Sequence, residues 1–157
     1  MTGRIVAFWG ERNENGEFSN FYRSRFKYKG LIFDYSEIAF MWEKAMLFKD
    51  REVADKIMLA KYPKDAKYLG RQVRNYDDKI WSEKRYEIMV SVLKEKFNQN
   101  IYLKNKLRKT GNSTLVEASP YDKIWGVGVY YKYALNPNNW RGQNLLGKAL
   151  MEVRDSF

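Results

Sequence analysis

The sequence predicts an α+β fold, mostly helical with a small β-sheet, in one domain covering residues 1–157. Three observations carry this. Helical spacing of apolar residues recurs from Ser36 to Lys109 and again from Trp140 to Arg154. Short strand-like runs lie far apart in the chain, so the sheet must join distant segments. Only 3 prolines occur, with no low-complexity linker or internal repeat, which fits one folding unit.

Each element has its own local reason. Arg4 to Trp9 reads as the first strand, and Glu11 to Glu17 is a polar turn holding Asn15-Gly16. Lys27 to Asp34 is a hairpin that turns at Lys29-Gly30. Ser36 is placed to cap a helix reaching Phe48, and a second helix covers Arg51 to Ala60. Pro63 opens a short helix to Val73, since a proline in the first turn forfeits no helical hydrogen bond. Asp77 caps a long helix to Asn98 that sets Trp81, Arg85, Ile88, Val92 and Lys96 near one face. Another runs from Asn100 to Lys109 and stops at Gly111. Ser113 to Ala118 is a strand, Gly126-Val127-Gly128 a loop or bent strand, and Asn139 caps the helix from Trp140 to Arg154.

What the chain lacks narrows its chemistry. It has no His and no Cys, which removes an imidazole base, a thiolate nucleophile, disulfides and the usual zinc or iron–sulfur ligands. No carboxylate run suggests a hard-ion site, so neither a metal nor a cofactor is expected. Catalysis would fall to carboxylates, lysine, tyrosine, serine or backbone dipoles. No signal pattern opens the chain and no apolar run is long enough for a membrane span, so a cytoplasmic protein without membrane contact is expected. The net charge of +10 favours anionic partners, either phosphorylated small molecules or nucleic acid. Those charges are scattered rather than gathered into a stripe, which makes nucleic acid possible but weakly signalled.

The stretch Ser36–Phe48 is the most informative. At roughly 100° per residue, Glu37, Met41, Lys44 and Phe48 share one line, while Ser36, Glu43 and Asp50 fall together on what reads as a solvated stripe. The first line sets a carboxylate and an amine among Phe40, Met41, Leu47 and Phe48. Buried charge is costly unless paired or functional. A structural ion pair with a lysine whose stem is buried and whose head reaches water is the alternative.

Four other segments combine unusual residues. Gly16 to Tyr22 sets the amide of Asn20 between aromatics, which an ordinary turn with core anchors also explains. Pro63 to Arg74 includes Lys67, Gly70 and Arg71, which a solvated basic helix end explains too. Glu117 to Gly128 offers Glu117, Asp122, the Trp125 indole and glycines such as Gly126 that let backbone N–H groups approach a ligand. Trp140 to Gly147, with Gly142 and Asn144, begins a helix whose first N–H groups could hold phosphate.

Together these segments resemble the NADAR superfamily, and within it the YbiA-like N-glycosidases. The matching residues are S-N-F-Y at Ser19–Tyr22, S-E-x-x-F-M-x-x-K-A at Ser36–Ala45, L-G-R at Leu69–Arg71, W-x-x-x-R at Trp81–Arg85 and K-F at Lys96-Phe97. E-x-S-x-x-D-x-x-W-G-x-G at Glu117–Gly128 and W-x-G-x-N-x-L-G at Trp140–Gly147 complete the set. Ile38 stands where the family pattern often has a polar residue. The resemblance implies cleavage of an N-glycosidic bond between a ribose and a base or base-like amine, in ribosylamino-pyrimidine intermediates of riboflavin biosynthesis. Other members remove ADP-ribose from guanine bases in nucleic acid.

Such a reaction passes through an oxocarbenium-like state, which two carboxylates can serve, one at the anomeric carbon and one giving a proton. Glu37 and Asp122 are the candidates. Alternatively Lys44, deprotonated by its apolar surroundings, attacks the anomeric carbon and forms a Schiff base. Trp81 and Trp125 would stack the base, and Arg71 and Arg85 would meet phosphate. Asn20, Glu117, Gly126, Trp140, Gly142 and Asn144 complete the expected substrate-binding set. A non-catalytic module binding ADP-ribose or nucleic acid would use the same residues, though a reader has no need of a buried amine.

Overall fold

The computed structural model describes residues 3–157; residues 1 and 2, the start of the domain expected over 1–157, lie outside the described residues. Two units emerge, one from residues up to 22 together with 101–157, the other from residues 23–100. In chain order the elements are β1 (Ile5–Phe8), β2 (Arg23–Tyr28), β3 (Leu31–Tyr35), α1 (Ser36–Leu47), α2 (Arg51–Met58) and α3 (Pro63–Gly70). Then come α4 (Asp78–Asn98), α5 (Ile101–Lys109), β4 (Thr114–Glu117), α6 (Tyr131–Ala134) and α7 (Leu145–Asp155). Short 3-10 turns occupy Gly16–Phe18 and Pro137–Asn139. The class is α+β and mostly helical, as predicted. The single small sheet is corrected to two separate pairs: β1 parallel to β4, and the β2–β3 hairpin.

In the first unit β1 and β4 run in register from Ile5 opposite Thr114 to Phe8 opposite Glu117. Ala7, Val116, Ala118, Val127 and Ala134 form a buried cluster beside this pair, covered by Ile5, Val129 and Trp140. The last helix differs from expectation. It starts at Leu145 with Asn144 before it, and Asn139 closes the short 3-10 turn instead. The reason lies in tertiary hydrogen bonds. Backbone N–H groups of Arg141, Gln143 and Asn144 donate to the carbonyls of Val127, Lys123 and Gly126, holding this segment extended against the 123–127 loop. The α6 turn is four residues, too short to show a helical period.

In the second unit the hairpin forms where predicted. Lys29 and Gly30 take φ of 50° and 79°, the two left-handed residues a tight hairpin turn demands. Gln99, just past α4, clamps β2 by accepting from the Lys27 N–H and donating to its carbonyl, both at 2.7 Å. Helix α1 packs against α2, α3, α4 and β3. That overturns two expectations. Tyr35, not Ser36, occupies the cap position, and Ser36 is a fully buried first-turn residue. The stripe of Ser36, Glu43 and Asp50 is not solvated, because neighbours cover α1 on nearly every side: the three are 0%, 8% and 1% exposed. Glu43 is accommodated by the Tyr28 hydroxyl at 2.7 Å and the Lys29 ammonium at 2.9 Å.

Asp50 caps α2 by accepting from Val53 N–H, and takes three more bonds from Arg74: the backbone N–H at 2.8 Å, Nη2 at 2.8 Å and Nε at 3.3 Å. The Arg74 guanidinium and these N–H groups hold the Asp50 carboxyl far below the usual aspartate range. An unfolded aspartate titrates near pH 3.9. Because the folded group binds its proton more weakly, its stabilisation is complete above that value and is lost as pH falls. Thermal melts between pH 6 and pH 3 should therefore show falling Tm below about pH 4, with a shallower decline in Asp50→Asn. An identical slope in wild type and variant removes Asp50 as the cause.

Candidate active site

Helical spacing places Lys44 two turns beyond Glu37 on α1, and both lie in the second unit. The Lys44 amine sits 4.8 Å from the ring centre of Tyr76 and 5.6 Å from that of Trp81. Each ring is backed by another: Phe40 lies 5.1 Å from Trp81, and Phe48 lies 5.4 Å from Tyr76. Burial pushes the Lys44 pKa below the ordinary lysine value; Glu37 opposes this and Arg71 adds to it. The rings favour the cation through their faces, while exclusion of water disfavours it. Glu37 is 9% exposed.

Arg71 follows the last residue of α3 and is exposed, while Gly70 before it lets α3 close on Met41 of α1 without a side chain between them. On α4, Trp81 is 6% exposed, so it acts as a wall for the amine rather than a free stacking platform. Arg85, one turn on, has a buried Nε with no hydrogen-bond partner, a donor suited to an anionic ligand. Tyr76 gives its hydroxyl to Asp78 at 2.7 Å, and burial with that bond pushes its pKa up to about 12, partly offset by Arg85. The second unit thus gathers Glu37, Lys44, Arg71, Trp81 and Arg85. It adds Tyr76, which sequence reasoning missed because a loop residue has no periodicity to reveal it.

The remaining expected residues belong to the first unit. Asp122 Oδ1 accepts from the N–H groups of Ile124 and Trp125 at 2.9 and 2.8 Å, shaping the loop and leaving Oδ2 for a ligand. Asn144 is 2% exposed and uses its amide to join β4 to α7, accepting from Glu117 N–H and donating to the Leu115 carbonyl, both at 3.0 Å. A side chain on Gly142 would strike the Gly126 carbonyl and Lys123 backbone, and one on Gly126 would strike the Asp122 and Glu117 carbonyls. Trp140 donates its indole N–H to the Ala134 carbonyl at 2.7 Å and covers the buried cluster. These four hold the loop in place. The expected phosphate cradle at the start of α7 is overturned, since Leu145 and Leu146 N–H donate to the Ile124 and Trp125 carbonyls. Asn20 is buried after the Gly16–Phe18 turn, and Glu117 ends β4. Among the described residues no group of three or more acidic side chains could hold a metal ion, and no helix is long and apolar enough to cross a membrane.

Residues 7–157 match the NADAR domain. The chain belongs to the NADAR family. It is 46% identical over 117 residues to an N-glycosidase of Acanthamoeba polyphaga mimivirus, covering 73% of this chain and 69% of that one. It is 30% identical over 157 residues to N-glycosidase YbiA of Escherichia coli, covering 100% of this chain and 91% of the other. A riboflavin biosynthesis protein of Vibrio vulnificus is 29% identical over 152 residues, where the match covers 97% of this chain but 38% of that protein. The NMR structure of Escherichia coli YbiA superposes with a TM-score of 0.82 at 29% identity, covering 99% of this chain and 86% of that one.

Proposed function

We propose that this chain hydrolyses the N-glycosidic bond of ribosylamino-pyrimidine intermediates of riboflavin biosynthesis, in the cytoplasm, with Lys44 as its reacting amine. It is a hydrolase acting on N-glycosyl compounds, as relatives named N-glycosidase over most of the chain support. The observation that carries the mechanism is the Lys44 amine, set against two rings with its pKa pushed below the ordinary lysine value by burial. The Vibrio relative's name supports the substrate class.

In this reading neutral Nζ of Lys44 attacks the anomeric carbon, and the bond from that carbon to the pyrimidine amine breaks. The leaving nitrogen keeps the electron pair and takes a proton by way of Glu37, the buried carboxyl two turns before Lys44 on the same helix. Ring opening gives a Schiff base, which water hydrolyses to release the ribose, still carrying its phosphate, and restore the amine. The family resemblance also gives Asp122 a catalytic part. Two backbone N–H groups hold its Oδ1 and so fix the carboxylate within its loop. Arg71 and the unpartnered Nε of Arg85 serve the substrate phosphate.

Mass detection of the released sugar, ribose or its phosphate from a panel of ribosylated pyrimidines and ADP-ribose from ADP-ribosylated guanosine, tests the reaction. The pyrimidines should be cleaved faster; preference for the guanosine favours ADP-ribose removal, and no release from any member leaves a binding module. The charge of +10 gives the nucleic-acid reading its one support. Binding to a modified oligonucleotide across a salt series separates the two. A log–log slope of roughly 0.7 to 0.9 per phosphate contacted is expected from counterion release. Slopes worth four or more phosphates, by that scale about 3, overturn the small-molecule reading. Trp125→Ala should raise KM about tenfold with a smaller change in kcat, because stacking holds ground and transition states alike. A pure kcat defect instead places the indole among the reacting groups.

A further inference from the structure

The loop from Arg71 to Asp77 carries two of the groups around the Lys44 amine, Arg71 and Tyr76, yet belongs to no regular element. Something must hold it. Between these two residues Arg74 is tied by its backbone N–H, Nε and Nη2 to one carboxylate, Asp50, whose side chain is fully buried. Asn75 then takes the left-handed region, φ 61°, turning the chain between Arg74 and Tyr76. Asp50 itself is fixed by capping α2 and lies two residues beyond Phe48, which packs on the Tyr76 ring. Both ends of the loop's approach to Lys44 therefore run through one clasp.

We propose that Asp50 and Arg74 are positioning residues whose clasp sets Arg71 and Tyr76 against the Lys44 amine, so that the amine stays shielded from water. This rests on Lys44 being the reacting amine, but its central claim concerns the amine's surroundings and can be read without catalysis. The charged groups acting on Lys44 are Glu37 and Arg71; those acting on Tyr76 are Asp78, Arg85 and Asp77. Glu52 of α2 pairs with Arg74 at 3.2 Å from the solvent side. None of these touches Asp50 directly in the bonds above, so changing Asp50 tests the clasp and not a neighbour. In Asp50→Asn the amide would set N–H against N–H at Arg74, opening the loop and hydrating the amine, which favours its charged form.

The test is reductive methylation of the full chain with formaldehyde and cyanoborohydride across pH, read residue by residue by peptide mass. The pH midpoint of Lys44 reports its own titration, whatever its accessibility, and exposed Lys109 is the internal reference. In wild type the Lys44 midpoint should lie below that of Lys109. In Asp50→Asn and Arg74→Ala it should move most of the way to Lys109, turnover at neutral pH should fall about tenfold, and Arg74→Lys should restore most of both. A lower Tm with an unmoved Lys44 midpoint overturns the proposal, since a merely structural clasp would do only that. If Asp50→Asn does not fold, Arg74→Ala decides by the same midpoint. Should Lys44→Ala keep its turnover, the catalytic reading of Lys44 fails while the midpoints still judge the clasp.

Discussion

Lys44→Ala should lose at least about a thousandfold in glycosidase turnover while its Tm stays close to that of the wild type. The activity should fall because no other described residue on α1 presents an amine to the Tyr76 and Trp81 rings. The fold survives because the removed group is a half-buried amine whose charged form is disfavoured there, so its loss relieves desolvation. Ribose release under saturating substrate measures the first effect and circular dichroism the second. Borohydride added during turnover should trap a sugar adduct on Lys44 in the wild type and none in the variant. Failure to trap any adduct removes the Schiff-base route and leaves the lysine as a clamp. Near-normal turnover removes the lysine from catalysis altogether.

Gly147→Ala should be the most destabilising single methyl in the first unit, costing about 3 kcal/mol. Helix propensity alone predicts the opposite sign, since alanine is favoured over glycine inside a helix by roughly 0.5–1 kcal/mol. Packing decides. A Cβ on Gly147 would fall inside the contact distance of the Leu115 carbonyl oxygen on β4 and of both ends of the Asn144 amide. The backbone carbonyl cannot swing aside, and Asn144 is already bonded to Leu115 and Glu117. So α7 must lift from β4, breaking those buried bonds. For a chain of this length the corresponding fall in Tm is about 10 °C. A change of only a degree or two in thermal melts would show that α7 rests on β4 more loosely than this contact requires.

Periodicity and turn chemistry, both local, determined most of the elements. Four α-helices from Ser36 to Asn98, the Asp77 cap and the Lys29-Gly30 turn follow from residues within a few positions of each other. The same arithmetic made Glu37 and Lys44 legible, because their spacing puts them on one line of α1 among apolar residues. What it could not give is which faces are covered. An angle around a helix says nothing about whether a second helix lies there, so Glu43 and Asp50 read as solvated although α2, α3, α4 and β3 surround α1. Likewise the start of α7 depends on carbonyls of residues 123–127, and the parallel pairing of β1 with β4 joins ends of the chain no local pattern connects. Tyr76 is the sharpest case. Its place beside Lys44 is set by a loop whose geometry hangs on the Asp50–Arg74 clasp, a contact 24 residues apart in sequence. Local spacing fixed the amine; only long-range packing decided its surroundings, because desolvation comes from neighbours in space.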